Sequence, residues 1–485
     1  MSNQVQQTKK GIKWSLADQV LRQIITLIIS GILSRLVTPS EYGVLGMVTV
    51  ATGFFQVFKD VGLGSSIIQK QGVTEDEKST IFWLNVSIGI VLAIILISIS
   101  PLIAVFFEQP QLKKLVAVMG LNFVITSLLI VPDALIQKSM NFKGYFVLNF
   151  IATVLSGVVG IGLAFNGAGV WALLAQIICS SFVTLILSFK VAKWVPTIVF
   201  NKSLLKDHLK FSGPVLADNS INYWVRNLDK ILTGKMLGPV SLGVYTRAYT
   251  LMLLPLNQIS NTLNRVMFPS FSLIHTDKEK IWDQFSKMLA IIAFVCFPLM
   301  SILGVFAKEV ILFVYGTSWS AVIPIFKVLC ILGASQALAS TFGSIYYATA
   351  QTKLMFKVGV MSRTFMLAGI ILGIYTGGLT GMIWGYLISS IAAMSIEIHY
   401  VCKILNKNSL CFFKNIFPET IGAILVIFFF IIIKRVISDS DIFTLKNIIL
   451  NFLIICIGVL IYIFILIRLK SIGFKVFKSN INAQK

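Results

Sequence analysis

Acidic residues are scarce in this chain: 19 Asp and Glu among 485 residues, against 41 Lys and Arg. Charge of either sign is scarce as well. Only 12% of residues are charged, where a soluble domain has roughly 25%, and the mean hydropathy is +0.88. That excludes a soluble globular protein. Histidine is limited to His208, His275 and His399, none with a partner at ligand spacing. The six cysteines (Cys179, Cys296, Cys330, Cys402, Cys411, Cys456) are scattered, mostly in or beside apolar runs, with no C-x-x-C pair or Cys/His cluster. Neither a zinc site nor a disulfide framework is expected. No Ser/His/Asp constellation, phosphate-binding glycine loop or acidic metal motif occurs. The chain therefore reads as a non-enzyme without catalytic residues, metal or cofactor. No cleavable signal peptide is expected, because the apolar run after Trp14 is too long and carries Asp18 and Arg22.

What is abundant is apolar sequence in long runs. Hydropathy marks about fourteen spans: 11–36, 42–61, 79–107, 112–137, 142–165, 170–189, 211–237, 242–268, 282–306, 322–350, 354–375, 381–403, 416–436 and 445–469. Fourteen helices of about 24 residues consume roughly 340 residues. Only short loops and tails remain, which excludes a catalytic head or a nucleotide-binding module. An even number of spans puts both termini on one side. With that side cytoplasmic, cytoplasmic segments hold about 25 Lys and Arg and external loops about eight. This bias accounts for most of the +22 net charge without a nucleic-acid partner.

An internal repeat organises the chain. Leu16-Ala17-Asp18 returns as Leu216-Ala217-Asp218, Pro39 as Pro239, and Gly43-Val44 as Gly243-Val244. The offset then drifts, so that Gln137 matches Gln351 and Phe142-Lys143 matches Phe356-Lys357. The period covers six helices, an even number, so the halves share one orientation and a pseudo-two-fold axis along the membrane normal. The expected division is an N-lobe over 1–189, a cytoplasmic linker over 190–210, a C-lobe over 211–403, and a final helix pair with a basic tail over 404–485. The fold expected is an all-α polytopic membrane protein.

Ionisable residues within spans are expensive and tend to face a bundle interior or a wet cavity. Here they gather on the opening helices of each half. Asp18 and Arg22 are four apart and share a face. Asp218, Asn222, Arg226 and Lys230 step by four along one stripe, flanked by Asn219 and Asp229. Asn257 and Asn261 line part of the next span, Arg247 sits near its external end, and Arg363 lies mid-span further on. Two readings stay open for each residue: a satisfied ion pair or interhelical hydrogen bond, or a wall of a polar cavity between lobes. As a set, the cations outnumber the acids, which points to an anion. Arginine suits phosphate because its planar fork donates two hydrogen bonds together. Arg22, Arg226, Lys230, Arg247 and Arg363 are thus candidate contacts for such an anion. Asn219, Asn222, Asn257 and Asn261 are candidate neutral hydrogen-bond partners on the same faces, and Asp18, Asp218 and Asp229 candidates for ion pairs.

Several segments carry a family likeness. They are Ser34-Arg35-Leu36-Val37-Thr38-Pro39-Ser40-Glu41-Tyr42-Gly43, Phe58-Lys59-Asp60-Val61-Gly62-Leu63-Gly64, Met140-Asn141-Phe142-Lys143 and Gly167-Ala168-Gly169-Val170-Trp171. Asn227-Leu228-Asp229-Lys230, Leu242-Gly243-Val244-Tyr245-Thr246-Arg247-Ala248-Tyr249 and Asn264-Arg265-Val266-Met267-Phe268-Pro269 continue the series. Over residues 10 to 400 the chain resembles the polysaccharide transporter (Wzx-type oligosaccharide flippase) branch of the multidrug/oligosaccharidyl-lipid/polysaccharide (MOP) exporter superfamily. The resemblance implies two six-helix lobes plus a C-terminal pair, alternating access, and undecaprenyl-diphosphate-linked oligosaccharide as cargo, moved outward to the polysaccharide polymerase machinery. It implies a location in the bacterial cytoplasmic membrane. On this resemblance Arg22, Arg226, Lys230, Arg247 and Arg363 would meet the diphosphate and Asn219, Asn222, Asn257 and Asn261 the sugar hydroxyls. Asp18, Asp218 and Asp229 would serve ion coupling or ion pairs, with H+ or Na+ as the candidate coupling ion. A peptidoglycan-precursor flippase and a cation-coupled drug antiporter of the same superfamily are the neighbouring alternatives. A basic cavity disfavours the antiporter, and the short external loops disfavour a membrane-embedded polymerase or glycosyltransferase.

Overall fold

The computed structural model describes the backbone of residues 2–59, 63–201, 205–273, 277–436 and 445–476. Side chains are described within these ranges except at 2–13, 16, 205–219, 221–222, 225, 257–270, 272–273, 436, 445–446 and 448. Among the described residues the secondary structure is helical, without strands. Ten helices there are long and apolar enough to cross a membrane, and a bent pair makes an eleventh. The chain is an all-helical, multi-pass membrane protein.

The first compact unit comprises Met1–Gly243 with Val314–Ser318. It contains α1 (Ser2–Leu36), α2 (Pro39–Lys59), α3 (Leu63–Gln69), α4 (Glu75–Phe106), α5 (Leu112–Ser127), α6 (Ile130–Lys138), α7 (Phe142–Phe165), α8 (Val170–Ala192) and the first part of α9 (Leu205–Leu273). Local chemistry sets the ends. Thr74 caps α4 by accepting from the Glu77 amide, and three acids follow in the first turn, where the helix dipole favours them. Asn141 caps α7 through the Gly144 amide. α5 and α6 bend by 41° at their junction and read as one broken span. α4 packs on α5, and α7 lies between α1 and α8. Met47, Val48, Leu96, Leu112, Leu115 and Val116 form the centre of one apolar core, extended by Val170 and Leu242.

α3 was not expected from hydropathy. It is only seven residues long, too short to be stable alone. Its C-terminal carbonyls are held from a distant helix: the Lys138 ammonium donates to the Ile67 and Lys70 carbonyls at 2.7 and 2.5 Å.

The second unit comprises Val244–Phe313 and Trp319–Lys485. It holds the rest of α9, then α10 (Lys278–Val305), α11 (Ala307–Val314, which runs one residue past Phe313), α12 (Val322–Ala339), α13 (Phe342–Ala348), α14 (Thr352–Ile404), α15 (Ser409–Val436) and α16 (Leu445–Arg468). α10 packs against both α12 and α15, and α15 against α16. The core shared by α10, α15 and α16 includes Phe306, Val426, Phe430, Tyr462 and Leu466.

Two long helices are broken by glycine. α9 leaves helical geometry at Gly238, φ 78° and ψ −177°, directly before Pro239. α14 breaks at Gly377 and Gly378, the latter at φ 56°. At Gly238 and Gly378 φ is positive, a region that residues with a Cβ rarely occupy. Both breaks fall between pairs of spans expected from hydropathy, 211–237 with 242–268 and 354–375 with 381–403.

Candidate functional site

The first unit contains a cavity of about 680 Å³ walled mainly by α2 and α9. α2 supplies Thr49, Thr52, Gly53 and Gln56, and α9 supplies Tyr223, Arg226, Asn227 and Lys230. Both sets follow the i, i+3, i+4, i+7 spacing of one helix face. Val50, Val57 and Met119 complete the lining. Among the described residues that line it, two are cations and none is a carboxylate.

Local bonds hold this wall in place. The Tyr223 hydroxyl donates to the Val50 carbonyl at 2.6 Å, tying α9 to α2. Gly53 makes room for that ring: a Cβ there would lie 2.5 Å from the Tyr223 hydroxyl and 3.0 Å from its ring edge. One turn further along α9, the Asn227 amide donates to the Tyr223 carbonyl at 2.9 Å. Its side-chain oxygen accepts from the Lys230 ammonium at 3.3 Å. Thr49 and Thr52 donate to the Gly46 and Val48 carbonyls of their own helix at 2.9 and 2.8 Å, so their oxygens remain as acceptors. Arg226 is exposed and Lys230 half-buried. Two cations without a lining acid raise the local positive potential. The arrangement fits an anion with several acceptor oxygens. An aromatic cluster flanks it: Phe54 lies 5.0 Å from Trp224 and 6.2 Å from Tyr223, centroid to centroid.

The other sequence-predicted residues lie elsewhere. Asp18 is buried on α1, 3.9 Å from the half-exposed Arg22, and accepts from the Asn149 amide at 3.3 and 3.4 Å. Arg247, in the second unit, lies 5.9 Å over the Trp319 ring, a cation–π distance. Arg363 is exposed on α14, within Coulombic reach of Glu397. Asp229 is buried on α9 itself but does not line the cavity. The structure thus brings Arg226 and Lys230 together and leaves Arg22, Arg247 and Arg363 outside that cavity. Asp218, Asn219, Asn222, Asn257 and Asn261 sit on helical backbone of α9, and their side chains lie outside the described residues.

Sequence reasoning missed the α2 wall and Tyr223. Polar residues at 49, 52 and 56 are a stripe within an otherwise apolar span, and that spacing was the available signal. It also missed Asn149, whose partner Asp18 is 131 positions away.

The helical architecture defines a class. The chain shares its fold with Lipid II flippase MurJ in an inward closed conformation: TM-score 0.70, 16% identity, 94% of this chain and 98% of that one. An inward-facing MATE family transporter of the MOP superfamily matches at TM-score 0.62, 16% identity, 79% of this chain and 94% of that one. The class is a multi-pass helical membrane protein with the fold of these two transporters.

Within that class, residues 32–324 match the model of the polysaccharide biosynthesis protein family, and the chain belongs to this family. The chain is similar to the teichuronic acid biosynthesis protein TuaB of Bacillus subtilis, 29% identical over 96% of this chain and 97% of that protein. It is also similar to the lipopolysaccharide biosynthesis protein WzxC of Escherichia coli, 28% identical over 80% of this chain and 79% of that one. The Wzx-type resemblance read from the sequence is thereby shown.

Proposed function

We propose that this protein is a flippase that carries undecaprenyl-diphosphate-linked oligosaccharide units outward across the cytoplasmic membrane for surface polysaccharide synthesis. The observation that carries the reading is the cavity in which Arg226 and Lys230 meet without a lining carboxylate, in a chain of the polysaccharide biosynthesis family. The obstacle to this transport is a diphosphate and polar sugars crossing hydrocarbon. Arg226 and Lys230 take the diphosphate, while Thr49, Thr52, Gln56 and Asn227 offer hydrogen bonds to sugar hydroxyls. The lipid tail stays in the bilayer.

The proposed topology has fourteen spans. α9 and α14 contribute two each, divided at Gly238 and Gly377–Gly378, and the pairs α5–α6 and α12–α13 contribute one each. Helices of 1–189 and 211–403 form two lobes that alternate access, with 404–485 as an added pair. The loop lysines support cytoplasmic termini. An inside-negative potential favours outward movement of an anion by about 2.3 kcal/mol per charge per 100 mV, so cation coupling is an aid rather than a necessity. Asp18 and Asp229, both buried, are the acids proposed for it. Delivery to a polymerase follows from the direction of transport. Arg22, Arg247 and Arg363, with Asn219, Asn222, Asn257, Asn261 and Asp218, remain candidates for the same path in other states.

Mass spectrometry of lipid-linked intermediates in a deletion strain tests this, with a membrane-impermeant sugar-modifying reagent reporting the leaflet. A complete repeat unit on undecaprenyl diphosphate should accumulate, shielded on the cytoplasmic side. Unchanged intermediates with normal surface polymer would reject the reading.

A further inference from the structure

The connection leaving α8 turns at Lys193, φ 50°, and runs without helix through Asn201 across the first turns of α4. It is pinned along its length. Trp194 donates its indole N–H to Glu75 at 2.9 Å, and its ring is buried beside Phe82 and Phe189. The Thr197 amide and hydroxyl both reach Ser79 Oγ, at 3.0 and 2.9 Å. The Trp83 indole donates to the Thr197 carbonyl at 2.8 Å, and the Asn201 amide to Thr80 Oγ1 at 3.2 Å. These polar groups of Trp194, Thr197 and Asn201 are satisfied inward by α4. The apolar side chains turn outward: Val195 is 77% exposed, Ile198 95% and Phe200 48%.

The depth of this strap follows from helix length. α4 has 32 residues, about 48 Å at 1.5 Å per residue, while a hydrocarbon core is about 30 Å thick. The helix exceeds that thickness by about 18 Å, and the charged start Glu75-Asp76-Glu77-Lys78 puts the excess among headgroups at that end; the strap lies beside residues 75–83. Its charge is of one sign. Lys190 and Lys193 precede it, and the sequence from Lys190 to Lys206 contains no acid.

We propose that residues 194–201 form a lipid-docking edge. Val195, Ile198 and Phe200 enter the interface of the leaflet that carries the N-terminal end of α4. Lys190 and Lys193 meet the phosphates of anionic phospholipid there. An exposed apolar trio with flanking lysines is the chemistry that suits this layer. The inference is independent of the cargo and of which side of the membrane is cytoplasmic.

Spin-label accessibility tests it on the full chain in bilayers of phosphatidylcholine with or without phosphatidylglycerol. Nitroxides are placed by Ile198→Cys and Val195→Cys, with the six native cysteines replaced. Both labels should collide more with oxygen than with a water-soluble nickel chelate. That ratio should fall when phosphatidylglycerol is omitted, and in Lys190→Gln/Lys193→Gln. Nickel-dominated collisions would mean the strap faces water, and low collisions with both would mean protein covers it; either overturns the proposal. A ratio indifferent to phosphatidylglycerol overturns the anionic part. A second reading keeps the native cysteines: Ile198→Asp and Val195→Asp should each reduce the rise in melting temperature that phosphatidylglycerol gives over phosphatidylcholine. An unchanged rise would contradict the proposal.

Discussion

Gly43 and Pro239 meet backbone to backbone: a Cβ on Gly43 would overlap the Pro239 carbonyl, and one on Gly243 would overlap the carbonyl of Pro39. These are the two copies of one repeated element, Pro-x-x-x-Gly, 200 positions apart. Each copy uses its glycine to admit the proline carbonyl of the other.

Gly43→Ala and Gly243→Ala should therefore be destabilising, by about 1–3 kcal/mol each for overpacking. The clash is with backbone, which cannot rotate away. Thermal melting of the purified variants in detergent checks this. Gly162→Ala, where a Cβ meets nothing within 4 Å, should melt like the parent.

Gly53→Ala should disturb the cavity rather than the whole fold. Its Cβ meets the Tyr223 hydroxyl first, and Tyr223 sits one turn before Arg226. Export of surface polysaccharide should fall several-fold, and Gly53→Ala/Tyr223→Phe should recover part of it by removing the nearest atom. A double variant no better than Gly53→Ala would show that the Tyr223–Gly53 contact does not set the cavity.

Lys138→Met should loosen α3. Two carbonyls lose a charged donor, and such bonds contribute about 1.5–3 kcal/mol when buried. Lys138 is partly buried, so a melting-temperature loss at the low end is expected, accompanied by faster amide exchange in residues 63–70.

The pair Glu108–Lys235, 2.6 Å apart, gives a pH-dependent prediction. The hydrogen bond from Lys235 holds the Glu108 carboxyl below its ordinary value, and the ammonium charge adds to this. A carboxyl depressed in the folded state stabilises above its unfolded pKa, and that contribution is lost as pH falls through the folded value. Comparing the parent with Glu108→Gln by melting should show a small deficit at pH 7 that disappears at pH 3. High salt should shrink it, because the pair is exposed.

Much of the helical layout was legible in the sequence. Long apolar runs identify spans because lipid demands internal backbone bonding, and helix breaks announce themselves as Gly238-Pro239 and Gly377-Gly378. The i, i+4 spacing of Asp18 and Arg22, and of Arg226 and Lys230, gave shared faces. Spacing along one helix does not say which other helix it meets. The partnership of Tyr223 with Val50 and Gly53 spans about 170 positions and was invisible. So was α3, whose stability comes from Lys138 on another helix. The strap at 194–201 read as a polar linker because its bonds to Glu75, Ser79 and Thr80 are tertiary.

The most direct test of the basic cavity is flipping in proteoliposomes. An undecaprenyl-diphosphate oligosaccharide bearing a fluorescent sugar is reconstituted with the parent protein or with Arg226→Ala/Lys230→Ala, and an impermeant quencher reports transbilayer movement. The parent should move the lipid, and the double variant should be at least about tenfold slower, the equivalent of 1.4 kcal/mol in the barrier, at equal protein incorporation. Equal rates in both proteins would contradict the assignment of Arg226 and Lys230 to the diphosphate, and no movement by the parent would contradict the flippase itself.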